Sequence, residues 1–294
     1  MTRAAGYHCR ANPLPSPMSD PADPADLVHA SFYRFVALAD PERVAARLRE
    51  LVGGLGGNVV VAHEGVSGAL AGPRAALAAF EAAVAREFDG ALDGMVFKHS
   101  ACTTPPFHLV KVHVKREIVA FGVPGVSGLR DAARPDTHVS PERFRALLDD
   151  PKVLVLDNRN SFEYRLGHFR GAVDPGVANF RDFPAYVEAH AARWQAEGRE
   201  IAMYCTGGIR CEKTAAWMQD QGLKVHQLDG GVINYFAALP DAVRDWGGEC
   251  FVFDKRIALD TRLEETATTA EQAYAGDEAA AWRLARAKRL DPAG

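Results

Sequence analysis

The sequence predicts an α+β domain of split β-α-β-β-α-β order, followed by an α/β domain built on a parallel sheet. Three observations carry this prediction. Between residues 30 and 122 short alternating strand patterns interleave with two amphipathic helical patterns. A Pro/Gly-rich stretch at residues 123–137 (Pro124, Gly125, Gly128, Pro135) then interrupts the periodicity. Beyond it, continuous apolar runs alternate with helices, as strands buried on both faces require. The 294 residues suffice for two domains with cores of their own.

The elements follow in order. Residues 1–27 read as a disordered tail, because Pro13, Pro15, Pro17, Pro21 and Pro24 forbid a helix and few apolar groups are present to bury. No continuous apolar stretch marks a signal peptide there, and Met18 is a plausible alternative start. Residues 31–38 form an aromatic and apolar strand. A helix follows over residues 41–51, with Asp40 as N-cap, Pro41 at its first position and Val44, Leu48 and Leu51 on one face. Residues 58–62 and 67–71 are strands around the turn His63-Glu64-Gly65. Residues 74–88 form a second helix on Leu77, Phe80 and Val84. Residues 110–114 alternate Val110, Val112 and Val114 with Lys111 and His113, and serve as the closing strand. The order is that of a ferredoxin-like (acylphosphatase-like) unit spanning residues 28–122.

After the linker at 123–137, the second domain runs from 138 to 258. Ser140-Pro141 opens a helix to Leu148, and residues 152–156 and 200–204 are buried strands. Residues 185–197 and 211–219 are helices, and 224–228 is a further strand. Residues 259–294 read as a helical tail, with Trp282 and Leu284 as docking residues. No Cys or His follows Cys250, so the tail cannot hold a cysteine-type zinc site.

Composition limits the function. No apolar run reaches the roughly 18 residues of a membrane helix. A net charge of −4 excludes a broadly basic nucleic-acid coat. Five scattered cysteines (Cys9, Cys102, Cys205, Cys211, Cys250) make no disulfide framework and fit a reducing, cytoplasmic setting.

The strongest chemistry lies where the strand ending at Tyr204 runs into Cys205-Thr206-Gly207-Gly208-Ile209-Arg210 and a helix. Such a turn gathers backbone N–H groups at the positive end of a helix dipole. Gly207 and Gly208 can take positive φ, and Arg210 adds a fixed charge. A cysteine there reacts as a thiolate. Four residues separate Cys205 from Arg210, one fewer than a C-x5-R phosphate cradle needs, which weighs against a phosphatase. Cys211 is either a resolving thiol for Cys205 or a packing cysteine. Asp157 and Arg159, at a strand end, are expected to support the neighbouring loop through an ion pair or backbone bonds. His63 and Glu64 either reach a nucleotide or form an ordinary turn. Lys111, His113, Lys115 and Arg116 line one strand face and are candidate RNA contacts, or simply a solvated edge. The local balance of ten Lys/Arg to nine Asp/Glu in residues 28–122 leaves only their arrangement to support RNA binding.

The loop Tyr204-Cys205-Thr206-Gly207-Gly208-Ile209-Arg210-Cys211-Glu212-Lys213 resembles the active loop of rhodanese domains. The upstream Leu156-Asp157-Asn158-Arg159 and the run from Glu163 to Ala172 are similar to the rhodanese signature. With Phe32-Tyr33-Arg34-Phe35, Ala62-His63-Glu64-Gly65 and the run from Cys250 to Arg256, residues 30–258 resemble the rhodanese-containing tRNA uridine hydroxylases. The resemblance implies a rhodanese-like second domain and oxygen-dependent 5-hydroxylation of the wobble uridine of tRNA. It also implies Cys205 as the essential cysteine in a cradle of Thr206, Gly207, Gly208, Ile209 and Arg210, with molecular oxygen and a reductant as co-reactants. Val66-Ser67 departs from the Ile-Asn of many members. No Rossmann fingerprint and no His/carboxylate triad for iron is evident, so no metal site is assigned. The alternatives are a sulfurtransferase carrying a persulfide on Cys205 and a non-catalytic adaptor.

Overall fold

The computed structural model describes residues 26–130 and 135–290; the tail before residue 26, including Cys9 and Met18, lies outside them. The first sheet is built from β1 (Leu27–Phe35), β2 (Gly56–Ala62), β3 (Gly65–Pro73), β4 (Val96–Ala101) and β5 (Val110–Val114), in the order β4-β1-β3-β2-β5. Helices α1 (Pro41–Leu51) and α2 (Arg74–Glu87) cover one face. Asp40 caps α1 by accepting from Arg43 N–H at 3.0 Å, with Pro41 in the first turn, as the sequence predicts. Ala30, Phe32, Val59, Val61, Val66 and Leu70 pack beneath the helices with Leu48, Leu77 and Phe80.

The closing strand of the split unit is β4 rather than the 110–114 strand. β4 pairs antiparallel with β1, whereas β5 pairs parallel with β2 at the opposite edge. β4 escapes a pattern search because only Phe97 anchors it in the core, against Phe32 with ring centroids 5.0 Å apart. Its alternate residues, Lys98 and Ser100, face away from the helices and into a cleft. The same uncovered face carries Ser31 and Tyr33 of β1, Asn58 and Val60 of β2, and Ser67 and Ala69 of β3.

The second domain has a four-stranded parallel sheet in the order β6-β10-β9-β7. Its elements are β6 (His138–Val139), α3 (Pro141–Leu148), β7 (Val153–Asp157), α4 (Ser161–Leu166), β8 (Gly167–Phe169), α5 (Phe183–Ala196), β9 (Glu200–Tyr204), α6 (Ile209–Asp220), β10 (Val225–Leu228) and α7 (Gly231–Ala238). One core joins α5 and α6 to the sheet through Phe183, Val187, Ala215 and Met218. The other joins α3 and α7 through Phe144, Val232 and Tyr235. Helices on both faces explain why the strands read as unbroken apolar runs. Phe121 is buried in the core of the second domain, where its ring meets Trp217 edge-on at 5.3 Å.

The far end departs from the helical expectation. Among its described residues, only Ala270–Ala273 and Ala281–Leu290 are α-helical. Trp282 stays half exposed, and docking falls instead to Ala273 and Tyr274 against Phe162 and Phe251. Residues 250–256 reach back to the first sheet. There Arg256 donates to Ser100 Oγ at 2.7 Å and Ala101 O at 3.3 Å while bonding both Asp254 carboxylate oxygens.

Candidate active site

Cys205 follows directly on β9, at the carboxyl edge of the sheet where ligands of open α/β folds collect. It is buried at the floor of a cleft of about 480 Å³ between the uncovered face of the first sheet and the second domain. The backbone around it is turned so that carbonyls point out and amides point in. Val232 N–H donates to Cys205 O at 3.0 Å, and Ile233 N–H donates to Thr206 O at 3.1 Å, both from the first turn of α7. Lys98, reaching over from β4, donates to Gly207 O and, at 3.0 Å, to Gly230 O. With those carbonyls engaged, Gly208 N–H donates to Cys205 Sγ at 3.1 Å.

Gly208 takes a positive φ of 99°, and a Cβ there would meet Tyr33 Oη at 2.8 Å. Gly207 does not take a positive φ. Its value is its carbonyl, which Lys98 holds. Gly231 is the second required glycine: at φ 71° a Cβ would stand 2.5 Å from Cys205 O and 2.7 Å from Gly208 N.

The electrostatics favour a thiolate. Burial opposes ionisation of Cys205, but a hydrogen bond from the Cys211 thiol, the Arg210 charge and backbone N–H groups outweigh it. They hold Cys205 well below the ordinary thiol range. Cys211 goes the other way, raised by burial and then by the neighbouring Cys205 thiolate, so it is the proton-bearing partner. Asn158 Nδ2 lies 3.9 Å from Cys211 Sγ on its other side. Burial pushes Cys102 up to about 11 and Cys250 up to about 12, and both are chemically quiet beside Cys205.

Arg210 is fixed by Glu163, whose two oxygens accept from Nη1 at 2.7 Å and Nη2 at 2.8 Å. Burial works against the Glu163 carboxylate, but the Arg210 guanidinium prevails and holds it below the usual carboxylate range. Thr206 Oγ1 lies 3.3 Å from Arg210 Nη2. Asp157 and Arg159 pair with each other, at 2.8 and 2.6 Å, and both are fully buried. Tyr204 Oη donates to Asp157 at 2.7 Å, and Arg159 donates to Gly167 O at 2.6 Å. The pair therefore braces the end of β9 from below and does not enter the cleft.

The His63-Glu64 turn lies outside the cleft. Glu64 is buried, accepts from Ile118 N–H at 3.0 Å and pairs with Lys213 of α6, which also meets Glu117 at 3.0 Å. His63 Nδ1 lies 3.0 Å from Leu38 O. Lys111 and His113 share the sheet face of Asn58 and Val60, but at its exposed outer edge, and Lys115 and Arg116 follow them into solvent. None of the four lines the cleft. The cations that do are Lys98, Arg181, Arg210, Arg256 and Arg283.

Two residues of the first domain that the sequence pattern does not single out, Tyr33 and Lys98, also line the cleft. Burial, then the charge and hydrogen bond of Glu212, raise the Tyr33 hydroxyl well above its usual range and keep it a donor. Lys98 lies 5.3 Å from the Tyr33 ring centroid. Only the Phe32-Tyr33-Arg34-Phe35 motif hinted at either. Among the described residues, no group of three or more His, Cys, Asp or Glu is arranged to hold a metal ion.

Comparison with known proteins agrees with this architecture. Residues 27–118 match the family described as UPF0176 acylphosphatase like domain, and residues 140–238 match the rhodanese-like domain. A tRNA uridine(34) hydroxylase of Legionella pneumophila (strain Paris) is 38% identical over 254 residues, covering 85% of this chain and 96% of that protein. One from Jannaschia sp. (strain CCS1) is 42% identical over 241 residues, covering 81% and 77%. One from Deinococcus radiodurans is 41% identical over 239 residues, covering 80% and 77%. Two domains of these types, a cysteine cradle shared between them and relatives matched over most of both chains lead to one assignment: the chain belongs to the tRNA uridine(34) hydroxylase family.

Proposed function

We infer that the protein is a tRNA-modifying oxidoreductase that hydroxylates C5 of the wobble uridine, residue 34 of its tRNA substrate, with Cys205 as the essential cysteine. The observation that carries this reading is the Cys205 thiolate at the floor of a cleft with room for a nucleotide and a lining rich in cations. A thiolate so placed can add to C6 of uracil. The displaced electron pair then makes C5 the nucleophile towards an oxidant, and loss of the C5 proton with expulsion of the thiolate restores the ring. With molecular oxygen as oxidant, one oxygen atom enters the base, the other leaves as water, and a reductant supplies two electrons.

Arg210 stabilises the departing thiolate, and Thr206, Gly207, Gly208 and Ile209 shape its cradle. Cys211 keeps its proton beside the reacting sulfur, and in this reading it either resolves an oxidised Cys205 or packs the first turn of α6. Among the described residues no helix is long and apolar enough to cross a membrane, and we place the enzyme with its tRNA in the cytoplasm.

The deciding experiment is nucleoside mass spectrometry of tRNA from cells with and without the gene. The expected result is loss of 5-hydroxyuridine and its derivatives, restored by the wild-type gene but not by Cys205→Ser. Thiosulfate:cyanide turnover with unchanged tRNA would instead mark a sulfurtransferase. Full complementation by Cys205→Ser would mark an adaptor.

A further inference from the structure

Of the large apolar side chains left exposed among the described residues, Val96, Leu109, Val243, Phe253 and Trp282, the one that lines the Cys205 cleft is Phe253. It is 59% exposed, yet its ring is held in place. The Arg210 guanidinium carbon stands 5.8 Å from the ring centroid. Phe251 meets it edge-on at 5.0 Å and 82°, and Phe251 is itself buried against Phe162 and Tyr274. An aromatic ring fixed from below and open above, directly over a residue of the catalytic cradle, is a stacking platform.

Its surroundings suit a polyanion. Arg210 is neutralised by Glu163 and Arg256 by Asp254. Arg181 and Arg283, which line the same cleft, form no ion pair with a carboxylate among the described residues. Arg181 is exposed. Arg283 is aimed by its bonds to Asn179 Oδ1 at 2.7 Å and Ala178 O at 3.2 Å, and its guanidinium carbon stands 5.2 and 4.5 Å from the Phe162 and Trp282 ring centroids. A face-open ring in a cleft that also carries two guanidiniums without a carboxylate bond suits a single-stranded nucleotide, whose base stacks and whose phosphates carry the charge.

We propose that Phe253, Arg181 and Arg283 form a subsite for a nucleotide flanking the target uridine, the ring stacking its base and the arginines meeting its phosphates. The proposal rests on the tRNA reading above and adds where the neighbouring loop nucleotide is held. It also explains why an aromatic is left in water beside a reactive cysteine: a flanking base seated there directs the next base down to Cys205.

The test uses the full chain carrying Cys205→Ser and an anticodon stem–loop RNA with a wobble uridine and 2-aminopurine beside it. Binding is expected to quench the 2-aminopurine emission. Phe253→Ala should abolish the quench and weaken affinity by about five- to 150-fold, the range given by alanine substitution at base–aromatic stacks, while Phe253→Tyr retains both. Arg181→Gln and Arg283→Gln should each lower the slope of log affinity against log salt by roughly 0.7, as loss of one single-strand phosphate contact predicts. Affinity and quench unchanged in Phe253→Ala, or no binding of the stem–loop, overturn the proposal. Nucleoside analysis of the wild-type reaction separates the two readings. A wild type that leaves the uridine intact but shows the Phe253-dependent quench refutes the hydroxylation and keeps the subsite. A wild type that modifies the uridine while Phe253→Ala binds normally does the reverse.

Discussion

Replacing Lys213 by Met tests whether the two domains are locked together by a buried charge cluster. Lys213 lies on α6 two residues beyond Cys211, and its side chain is fully buried; its partners Glu64 and Glu117 are 9% and 24% exposed. Met keeps an unbranched stem of similar length, with a thioether sulfur in place of one methylene, and removes the ammonium, so packing changes little. Two carboxylates then face each other without a cation. Glu117 keeps access to water and also accepts from Gly122 N–H at 3.2 Å, whereas Glu64 is buried and held by Ile118 N–H at 3.0 Å. Breaking a buried pair from one side costs about 3–5 kcal/mol, which for a protein of this size lowers the melting temperature by roughly 6–20 °C. Thermal denaturation with a second variant, Lys213→Met/Glu64→Gln, measures the coupling. The double variant should be less destabilised than the sum of the singles, by about 0.5–3 kcal/mol. A loss under about 1 kcal/mol in Lys213→Met, or strict additivity in the double variant, would refute the latch. It would also reopen the nucleotide-contact reading of Glu64.

The remaining expectations concern the thiolate, a buried histidine and the sheet edge. Because the folded protein holds Cys205 below the ordinary thiol range, alkylation of Cys205 by iodoacetamide should persist to lower pH than for a free thiol. Cys211→Ala, Arg210→Met and Lys98→Met should each move that profile upward, whereas Cys211→Ser, which keeps a donor, should move it less; superimposable profiles would contradict the assignment. Mass spectrometry of the oxidised protein should show a Cys205–Cys211 link if Cys211 resolves, and its absence under every oxidant removes that role. Burial, and then Arg256, lower His29 from 6.5 to about 4, so the native imidazole stays neutral while the unfolded one takes up a proton as pH falls through 6.5. The His29 contribution to stability is therefore full above pH 6.5 and falls by about 3 kcal/mol towards pH 4, and His29→Gln should flatten that part of the slope in urea titrations; an unchanged slope would rule out His29 as a source. If the edge of β5 meets RNA, Lys111→Gln with Lys115→Gln should weaken tRNA affinity and reduce its salt slope, and an unchanged slope removes that surface from the interface.

What the sequence made legible was whatever is decided locally. Asp40-Pro41 starts α1 by capping chemistry that needs no distant partner, and the apolar run into Cys205-Thr206-Gly207-Gly208 places a strand, a turn and a helix in one stretch. What stayed hidden was decided across the fold. Lys98 and Ser100 give β4 a polar face, which reads as a loop until a second domain covers it. Glu64 in a turn looks like a surface carboxylate, and its meaning lies in Lys213, 149 residues away. Glu163 is one residue of a helical signature until Arg210 turns to it. A buried charge is unfavourable alone, so its partner is the information, and single-chain periodicity does not carry partners.

In this chain the first domain completes the cysteine turn of the second. A strand-to-helix turn points its amides at one atom only if its carbonyls are satisfied elsewhere. Within the second domain, α7 satisfies two, those of Cys205 and Thr206. The carbonyl of Gly207 is left over, immediately before the glycine whose N–H meets Cys205 Sγ. Lys98 of the first domain takes it, and the Tyr33 hydroxyl closes the space over Gly208. Burial alone would discharge that ammonium, lowering Lys98, but the Cys205 thiolate, followed by Asp229 and Glu212, works against it. Cation and thiolate thus support one another across the domain boundary. On this view the first domain is a wall of the candidate active site: its sheet face supplies the group that finishes the cradle as well as the surface on which a nucleotide would lie.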